Sequence, residues 1–565
     1  MSRPVIRAKR RTFPTPRTPR TLLTPRTLLT RRTPRTPLTR RTASTAIVAV
    51  ALACTLTWSS TTTTVAGPSD TGLKGAIDTI LTDSRLDGGA AGVVVADATT
   101  GETLYRRDGA DRLMPASNTK VPTSVAAMAL LGPDYRYRTE ALTTGSRNGS
   151  VLRGDLYLRG TGDPTTLAAD YDKLAAQVAD SGIKRITGRL IADDTRFDAQ
   201  RLGRSWAADD ESSYYSAQIS ALTVAPDTDY DSGTVIVAAT PGAEPGAAPE
   251  LALTPRTDYV DLDMRGATTV PAGQPNTLTI ERRHGSNTIS ITGNIPLGAN
   301  ATKEWVTVWE PTGYAAAVFA DALTARGVRI TGRTHLSRPT PKDAKPLAAH
   351  TSMPLKELIR PFMKLSNNMH AEALTKTIGY ETTGKGTWSA GLAGIATYLK
   401  KEGVNTATLR QVDGSGLSRM NNIPAAEFAK LLLAVRTAPW YADWYASLPV
   451  ACAPDRATGG TLRSRMCKTP AALNARAKTG TLTGASALSG YVTDAGGREL
   501  VYSIVLNNHL ASSVKSIEDA IVTTLASSTK TTTTLVRPTT QRAATPTTEA
   551  TDSTLECSWR KPSLC

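Results

Sequence analysis

The amino-acid sequence predicts an α/β core interrupted by a large, mostly β insertion. Three observations carry this reading. A strand pair at 91–107 runs straight into a hydrophobic helix. From about 138 to 349 the texture changes to short strands and turns. Helices then return from Leu355 and close on two strand-like runs between 486 and 507. A chain of 565 residues exceeds what a single hydrophobic core organises, so several domains are expected, one of them split in sequence.

Taken in order, Gly72–Leu81 carries a short helical pattern. The run Ala91-Gly92-Val93-Val94-Val95, a turn at Thr100-Gly101 and Thr103-Leu104-Tyr105 read as a hairpin. A helix starts at Ser117, repeats Val121, Val125, Met128 and Leu131 on one face, and stops at Gly132-Pro133. Pro122 falls in its first turn, where a missing N–H does no harm. In the insertion, Asp155–Arg159, Arg185–Ala192 and Thr234–Ala239 read as strands, and Thr277–Glu281 pairs with Thr288–Thr292 around Gly285-Ser286-Asn287. Two helices interrupt it, one through Leu167, Tyr171, Leu174 and Val178, the other Ala315–Arg326 before Gly327. Helices follow at 367–379, 389–402, 424–436 and 514–526, with strands Ser486–Val492 and Leu500–Asn507 around Asp494-Ala495-Gly496-Gly497. The domains expected are a leader at 1–66, a core made of 70–137 and 350–527, the insertion at 138–349, and a Thr-rich tail at 528–565 too poor in apolar residues to fold.

The net charge of +17 suggests a nucleic-acid partner until its distribution is read. Residues 1–66 hold thirteen Lys or Arg and no acid, which leaves only +4 for the rest of the chain. No basic stretch interleaved with aromatics follows, so nucleic-acid binding is not expected. Residues 12–42 repeat Arg-Thr-Pro and Thr-Leu-Leu-Thr units, and the apolar run Ala46 to Trp58 comes next. Thirteen residues fall short of the roughly 20 needed to span a bilayer but suit the centre of a secretory signal. Thr64-Val65-Ala66 offers a cleavage site before Gly67, and the protein is read as secreted. Membrane contact is expected only if the signal stays uncleaved. Lipoprotein anchoring through Cys54 is a lesser option, since Ala51 stands where a lipobox has Leu. Cys452 and Cys467 flank a Gly-Gly loop and are candidates for a disulfide in an oxidising setting, as are Cys557 and Cys565 in the tail. The five histidines and the cysteines lack metal-site spacing, and there is no G-x-S-x-G elbow. No metal or cofactor is expected.

Chemistry concentrates in three short motifs. Ser117-Asn118-Thr119-Lys120 puts a hydroxyl and an amine one helical turn apart, and a serine needs such a neighbouring base to become a nucleophile. Ser366-Asn367-Asn368 reads S-x-N at the start of a helix, and Lys478-Thr479-Gly480-Thr481 reads K-T-G-T just before a strand. The ordered trio S-x-x-K, S-x-N, K-T-G resembles the active site of the penicillin-binding proteins and serine β-lactamases. The 249 residues from Ser117 to Ser366 are far more than β-lactamases have. That layout resembles the class C low-molecular-mass penicillin-binding proteins, the D-alanyl-D-alanine carboxypeptidase/endopeptidase family. Gly162-Asp163-Pro164, Asp413-Gly414-Ser415-Gly416-Leu417-Ser418 and Leu488-Ser489-Gly490-Tyr491 look like that family too. The resemblance covers roughly 70–527. It implies a serine β-lactamase/transpeptidase-like core carrying the insertion, and peptidoglycan stem peptides and β-lactams as partners.

The resemblance also implies roles. Ser117 is the acyl-ester nucleophile, Lys120 the general base and Ser366 the relay of the proton to the leaving nitrogen. Asn368 holds the substrate backbone or the base. Lys478 supplies a positive charge, which with burial lowers the pKa of a nearby lysine, and Thr479 and Thr481 offer hydroxyls to the peptide's terminal carboxylate. Gly480 lets the strand approach the ligand, and the N–H groups of Ser117 and Thr481 form the oxyanion hole. Arg419 and Asp210 are candidates to complement the carboxylate and ammonium of a diaminopimelate side chain. His370 is read as a packing residue. The leading expectation is an exported DD-carboxypeptidase, with DD-endopeptidase activity open beside it. A β-lactamase or esterase on the same core, and a non-catalytic wall-binding homologue, are the alternatives.

Overall fold

The computed structural model describes residues 72–539. The leader with the expected signal and Cys54, the tail beyond 539, and Cys557 and Cys565 lie outside them. The tail was expected to be unstructured from 528. Instead, Thr529 N donates to Thr532 O at 2.8 Å and Val536 N to Thr524 Oγ1 at 3.1 Å. Leu535, one of the few apolar side chains there, packs against the core and carries this stretch onto it.

Five antiparallel strands form the central sheet, in the order Arg476–Leu482, Ala485–Thr493, Glu499–Asn507, Ala90–Asp97 and Thr103–Arg107. Side chains alternate across a strand, and here both faces are covered. Val93 and Val95, beside Ile504 and Tyr502, pack against the helices Leu73–Ile80 and Lys515–Ala526. Val94, Ala487, Tyr491, Val501 and Val505 face the opposite layer, built by the helices Lys120–Leu130, Leu355–Lys364, Asn368–Thr383, Trp388–Lys401 and Ala425–Ala434. Cover on both faces leaves the strands 485–493 and 499–507 almost continuously buried, and Leu500–Leu506 is apolar apart from Ser503. The K-T-G-T motif, expected just before a strand, lies inside the edge strand Arg476–Leu482. Its threonines suit a pleated, paired backbone. The short helix Tyr441–Ser447, which has no clear apolar period, escaped the sequence reading.

Between 138 and 351 the strands make four further sheets, with the helices Ala168–Asp180 and Pro311–Ala325 packed into their core. The run expected as one strand at 185–192 is two. Arg185–Ile186 pairs parallel with Val151–Arg153, while Leu190–Asp193 pairs parallel with Leu156–Gly160 in a different sheet. The crossing occurs at Gly188, whose N–H bonds Gly154 O at 3.0 Å and where a Cβ would stand 2.2 Å from that oxygen. Gly332 repeats the device one strand further on, its N–H 2.9 Å from Gly188 O. The sequence Arg-Ile-Thr-Gly-Arg occurs at both 185–189 and 329–333, each time following one of the two helices. The same local sequence thus makes the same sheet-to-sheet crossing twice.

Cys452 and Cys467 are joined by a disulfide. Within the loop they close, Arg465 donates to Glu518 Oε2 at 2.8 Å and to Asp519 Oδ1 at 2.6 Å, and Glu518, fully buried, also accepts from Ser486 Oγ at 2.6 Å. Removing one partner of a buried pair strands the other charge. Arg465→Met is therefore expected to destabilise the protein by about 3–5 kcal/mol in urea unfolding; a loss below about 1 kcal/mol would show that Glu518 finds other compensation.

Candidate active site

Ser117 lies on a tight turn, Ala116–Thr119, and the α-helix begins only at Lys120. The expected helix start at Ser117 is thus a 3₁₀ turn, entered through Ala116 at a left-handed φ of 46°. A non-glycine residue there costs about 1–3 kcal/mol and persists only where the surroundings enforce it. The turn still brings Lys120 Nζ to 2.9 Å from Ser117 Oγ. Lys120 is wholly buried, and its amine also donates to Asn368 Oδ1 at 2.6 Å and to Ser415 O at 2.9 Å.

The S-x-N motif sits at another sharp entry, with Ser366 at φ 60°. Its middle residue caps the helix: Asn367 accepts from His370 N at 3.2 Å, the ordinary N-cap bond. That leaves the flanking side chains for the site. Ser366 Oγ accepts from Lys478 Nζ at 2.8 Å, and Asn368 spans from Lys120 to Tyr215 O, to which its Nδ2 donates at 2.8 Å. Lys478 Nζ also donates to Thr479 O, and Thr479 Oγ1 meets Thr461 Oγ1 at 2.8 Å. Gly480 backs directly onto the serine turn. A Cβ there would lie 2.5 Å from Pro115 O and 3.1 Å from Ser117 N, so only glycine allows the edge strand so close. Thr481 is buried in the same strand. The three motifs therefore converge.

The two residues proposed for side-chain recognition sit at the margin. Exposed Arg419 donates to Thr483 O at 2.8 Å, one residue past the motif strand. Asp210 accepts from Tyr215 Oη at 2.7 Å, and so reaches the site through the residue that holds Asn368. His370 is buried between Tyr230 and Phe362, its Nε2 3.1 Å from Tyr230 O. Burial pushes its pKa down to about 3.

Sequence reading missed two buried carboxylates beneath the Asp413-Gly414-Ser415-Gly416-Leu417-Ser418 loop. Glu372 accepts from Gly414 N and Ser415 N, each at 2.8 Å, and from Trp388 Nε1 at 2.7 Å. Asp413 accepts from Gly416 N at 2.9 Å, Ser418 N at 2.7 Å and Trp206 Nε1 at 3.1 Å. Burial raises both pKa values, and for Glu372 the Asp413 charge adds to it. Their donors hold the loop so that Ser415 O faces Lys120. The available signal was Glu372 one turn beyond Asn368, on the same helix face. Trp206, Tyr215 and Tyr230 come from the insertion, which thereby forms one wall of the site.

A serine hydroxyl held against an enclosed lysine, beside the edge strand of the central sheet, is the arrangement of a serine acyl-transfer enzyme. The chain belongs to the D-Ala-D-Ala carboxypeptidase 3 (S13) family, whose model matches residues 73–528. It is 48% identical over 460 residues to a D-alanyl-D-alanine carboxypeptidase of Actinomadura sp. (strain R39), covering 81% of this chain and 85% of that one. It is 23% identical over 440 residues to the D-alanyl-D-alanine carboxypeptidase DacB of Haemophilus influenzae, covering 77% and 89%. The crystal structure of penicillin binding protein 4 (dacB) from Haemophilus influenzae shares the fold, with a TM-score of 0.68 at 23% identity over 78% of this chain and 94% of that chain. A second structure of that protein, complexed with a β-lactam, superposes with a TM-score of 0.63 at 22% identity, again over 78% and 94%. The protein is a serine-type D-Ala-D-Ala carboxypeptidase with the fold of that penicillin-binding protein.

Two outcomes follow from this geometry. Gly480→Ala must push the strand off the serine turn, and a displacement near 1 Å costs on the order of 100-fold in rate. D-Alanine release should fall by about that factor while the melting temperature changes little; retention of more than about half the activity would contradict the close approach. His370 stays neutral in the fold down to about 3, whereas the unfolded chain protonates it near 6.5. Its depressed pKa therefore removes stability as pH falls from about 6.5 to 3, by up to about 1.4 kcal/mol per unit. His370→Gln, compared with the wild type by urea unfolding across that window, should flatten the slope by about one proton.

Proposed function

We propose that Ser117 is the nucleophile by which this carboxypeptidase trims peptidoglycan stem peptides. The observation that carries the reading is the 2.9 Å bond between Ser117 Oγ and Lys120 Nζ within a fully buried site. Ser117 Oγ attacks the carbonyl of the penultimate D-alanine while a neutral Lys120 amine takes the hydroxyl proton. A C–O bond forms, and the C–N bond to the terminal D-alanine breaks. Ser366 passes a proton to the leaving nitrogen, with Lys478 bonded to its hydroxyl at 2.8 Å and fixing its direction. Asn368 keeps the lysine aligned. Lys478, Thr479 and Thr481 face the terminal carboxylate, and Gly480 holds the strand close against the serine turn. Water then cleaves the Ser117 ester. A β-lactam enters the same step, its ring amide replacing the peptide bond, and the bound β-lactam of the Haemophilus influenzae protein supports this.

Arg419 and Asp210 stand at the margin of this site, one by the end of the motif strand and the other behind Tyr215. Their opposite charges complement a stem side chain bearing both an ammonium and a carboxylate. Action on the cell wall sets the enzyme outside the cytoplasm. The apolar run at 46–58 and the Cys452–Cys467 disulfide support export. Among the described residues no helix is long and apolar enough to cross a membrane.

After incubation with benzylpenicillin, intact mass should reveal one adduct on the wild type and none on Ser117→Ala; an adduct on the variant would reassign the nucleophile. Arg419→Ala should lower kcat/KM for a diaminopimelyl peptide about 10- to 100-fold relative to a peptide with a neutral side chain, the range for a hydrogen bond to a charged group. An unchanged ratio would remove Arg419 from recognition.

A further inference from the structure

The loop from Cys452 to Cys467 holds one short helical turn, Arg456–Gly459, and a 3₁₀ turn, Gly460–Leu462, and it is anchored on every side. The disulfide closes it. Cys452 N donates to Leu462 O at 3.0 Å across it. The buried Lys364 amine donates to Leu448 O just before the loop and to Thr458 O within it. Gly460 presses against the Lys364 backbone, where a Cβ would stand 2.3 Å from Lys364 O. Arg456 pairs with Asp229 of the insertion, and Arg465 with Glu518 and Asp519. These restraints fix one hydroxyl at the active site. Thr461, only 6% exposed, holds its Oγ1 2.8 Å from Thr479 Oγ1.

A threonine hydroxyl has one proton to donate and two lone pairs to accept with. In the structure Thr479 donates to Thr461 Oγ1, and a carboxylate arriving beyond Thr479 competes for that proton and reverses the bond. When a carboxylate lies beyond Thr479, the favourable arrangement has Thr461 donating to Thr479 Oγ1 and Thr479 donating to the carboxylate. That last bond is charge-assisted, and a chain of hydrogen bonds strengthens it further. Without Thr461 no hydroxyl stands behind Thr479 to make that reversal.

We propose that Thr461 is a positioning residue for substrate recognition, turning the Thr479 hydroxyl proton onto the terminal carboxylate of the peptide. The proposal rests on the reading above that Thr479 meets that carboxylate. The disulfide loop is then a support for specificity, carrying a fourth segment of the chain to the K-T-G-T strand.

The test compares two acyl-D-alanyl thioesters, one whose leaving group ends in a carboxylate and the same compound with that carboxylate methylated. Both are reactive enough to be turned over without the full recognition of a peptide. Thr461→Val should lower kcat/KM for the carboxylate substrate about tenfold, chiefly through KM, and leave the methyl ester within about twofold. Thr461→Ser, which restores the hydroxyl, should recover most of the loss. If Thr461→Val does not fold, Thr461→Ala removes the same hydroxyl without added bulk and is read in its place. Thr479→Val separates the two readings. If it abolishes the preference for the carboxylate while Thr461→Val keeps it, the role of Thr461 is overturned and that of Thr479 stands. If neither changes the preference, the assignment of Thr479 falls and Thr461 with it. An equal loss on both substrates in Thr461→Val marks a packing role only and overturns the proposal.

Discussion

The Lys120 amine is completely enclosed and meets three oxygens, Ser117 Oγ from its own turn and Asn368 Oδ1 and Ser415 O from two distant parts of the chain. An amine taken out of water must find such partners inside the protein or it destabilises the fold heavily. Each partner is fixed in turn by its own surroundings. Ser117 is held by the strained entry at Ala116, Asn368 by the insertion through Tyr215, and Ser415 by the paired N–H groups that bond Glu372. Satisfying one buried nitrogen thus requires the helical layer, the insertion and the 413–418 loop to be in place together. The requirements of folding and the geometry of the proposed nucleophile coincide at this atom.

The insertion takes part in that arrangement. Asn367, the residue capping the helix between the two motif side chains, donates from its amide to Tyr230 O at 3.0 Å and Asp231 Oδ1 at 2.9 Å. Trp206 reaches Asp413, and its ring meets Trp388 edge-on with centroids 6.2 Å apart. Trp388 donates its N–H to Glu372 while its face lies 3.9 Å from the Lys376 amine. Aromatic side chains with one polar atom suit this position, since they fill volume and still satisfy a buried carboxylate. The mostly β insertion therefore buttresses the helices from outside while its own core stays separate.

What could be read from sequence was whatever is local. Ser117 and Lys120 are linked by a short-range spacing, as are the members of S-x-N and K-T-G-T, and short motifs survive without knowledge of the fold. The helix of residues 120–130 and the buried strands of the sheet were visible through their apolar periods. Glu372, Asp413, Tyr215 and Thr461 were not assigned, because each acts through a contact across tens or hundreds of residues. The break in 185–192 was hidden for a related reason. Arg-Ile-Thr-Gly-Arg reads as strand by composition, and only the Gly154 backbone crossing beside Gly188 divides it. The edge position of the K-T-G-T strand follows from its partner Ala485–Thr493, not from its own residues.

The central sheet joins residues that leave the ribosome far apart in time. Ala90–Asp97 pairs along its whole length with Glu499–Asn507, so the sheet cannot close until more than four hundred further residues have been made. The insertion, whose strands and helices pair within 138–351, has no such wait. Contacts between distant residues form late because their loop entropy must be overcome first, and domains fold as units. The edge strand carrying Lys478 therefore cannot dock against Ser117 until residue 482 has been made. Until then the serine has no complete site around it. The division of the core in sequence withholds the finished site from every shorter nascent chain.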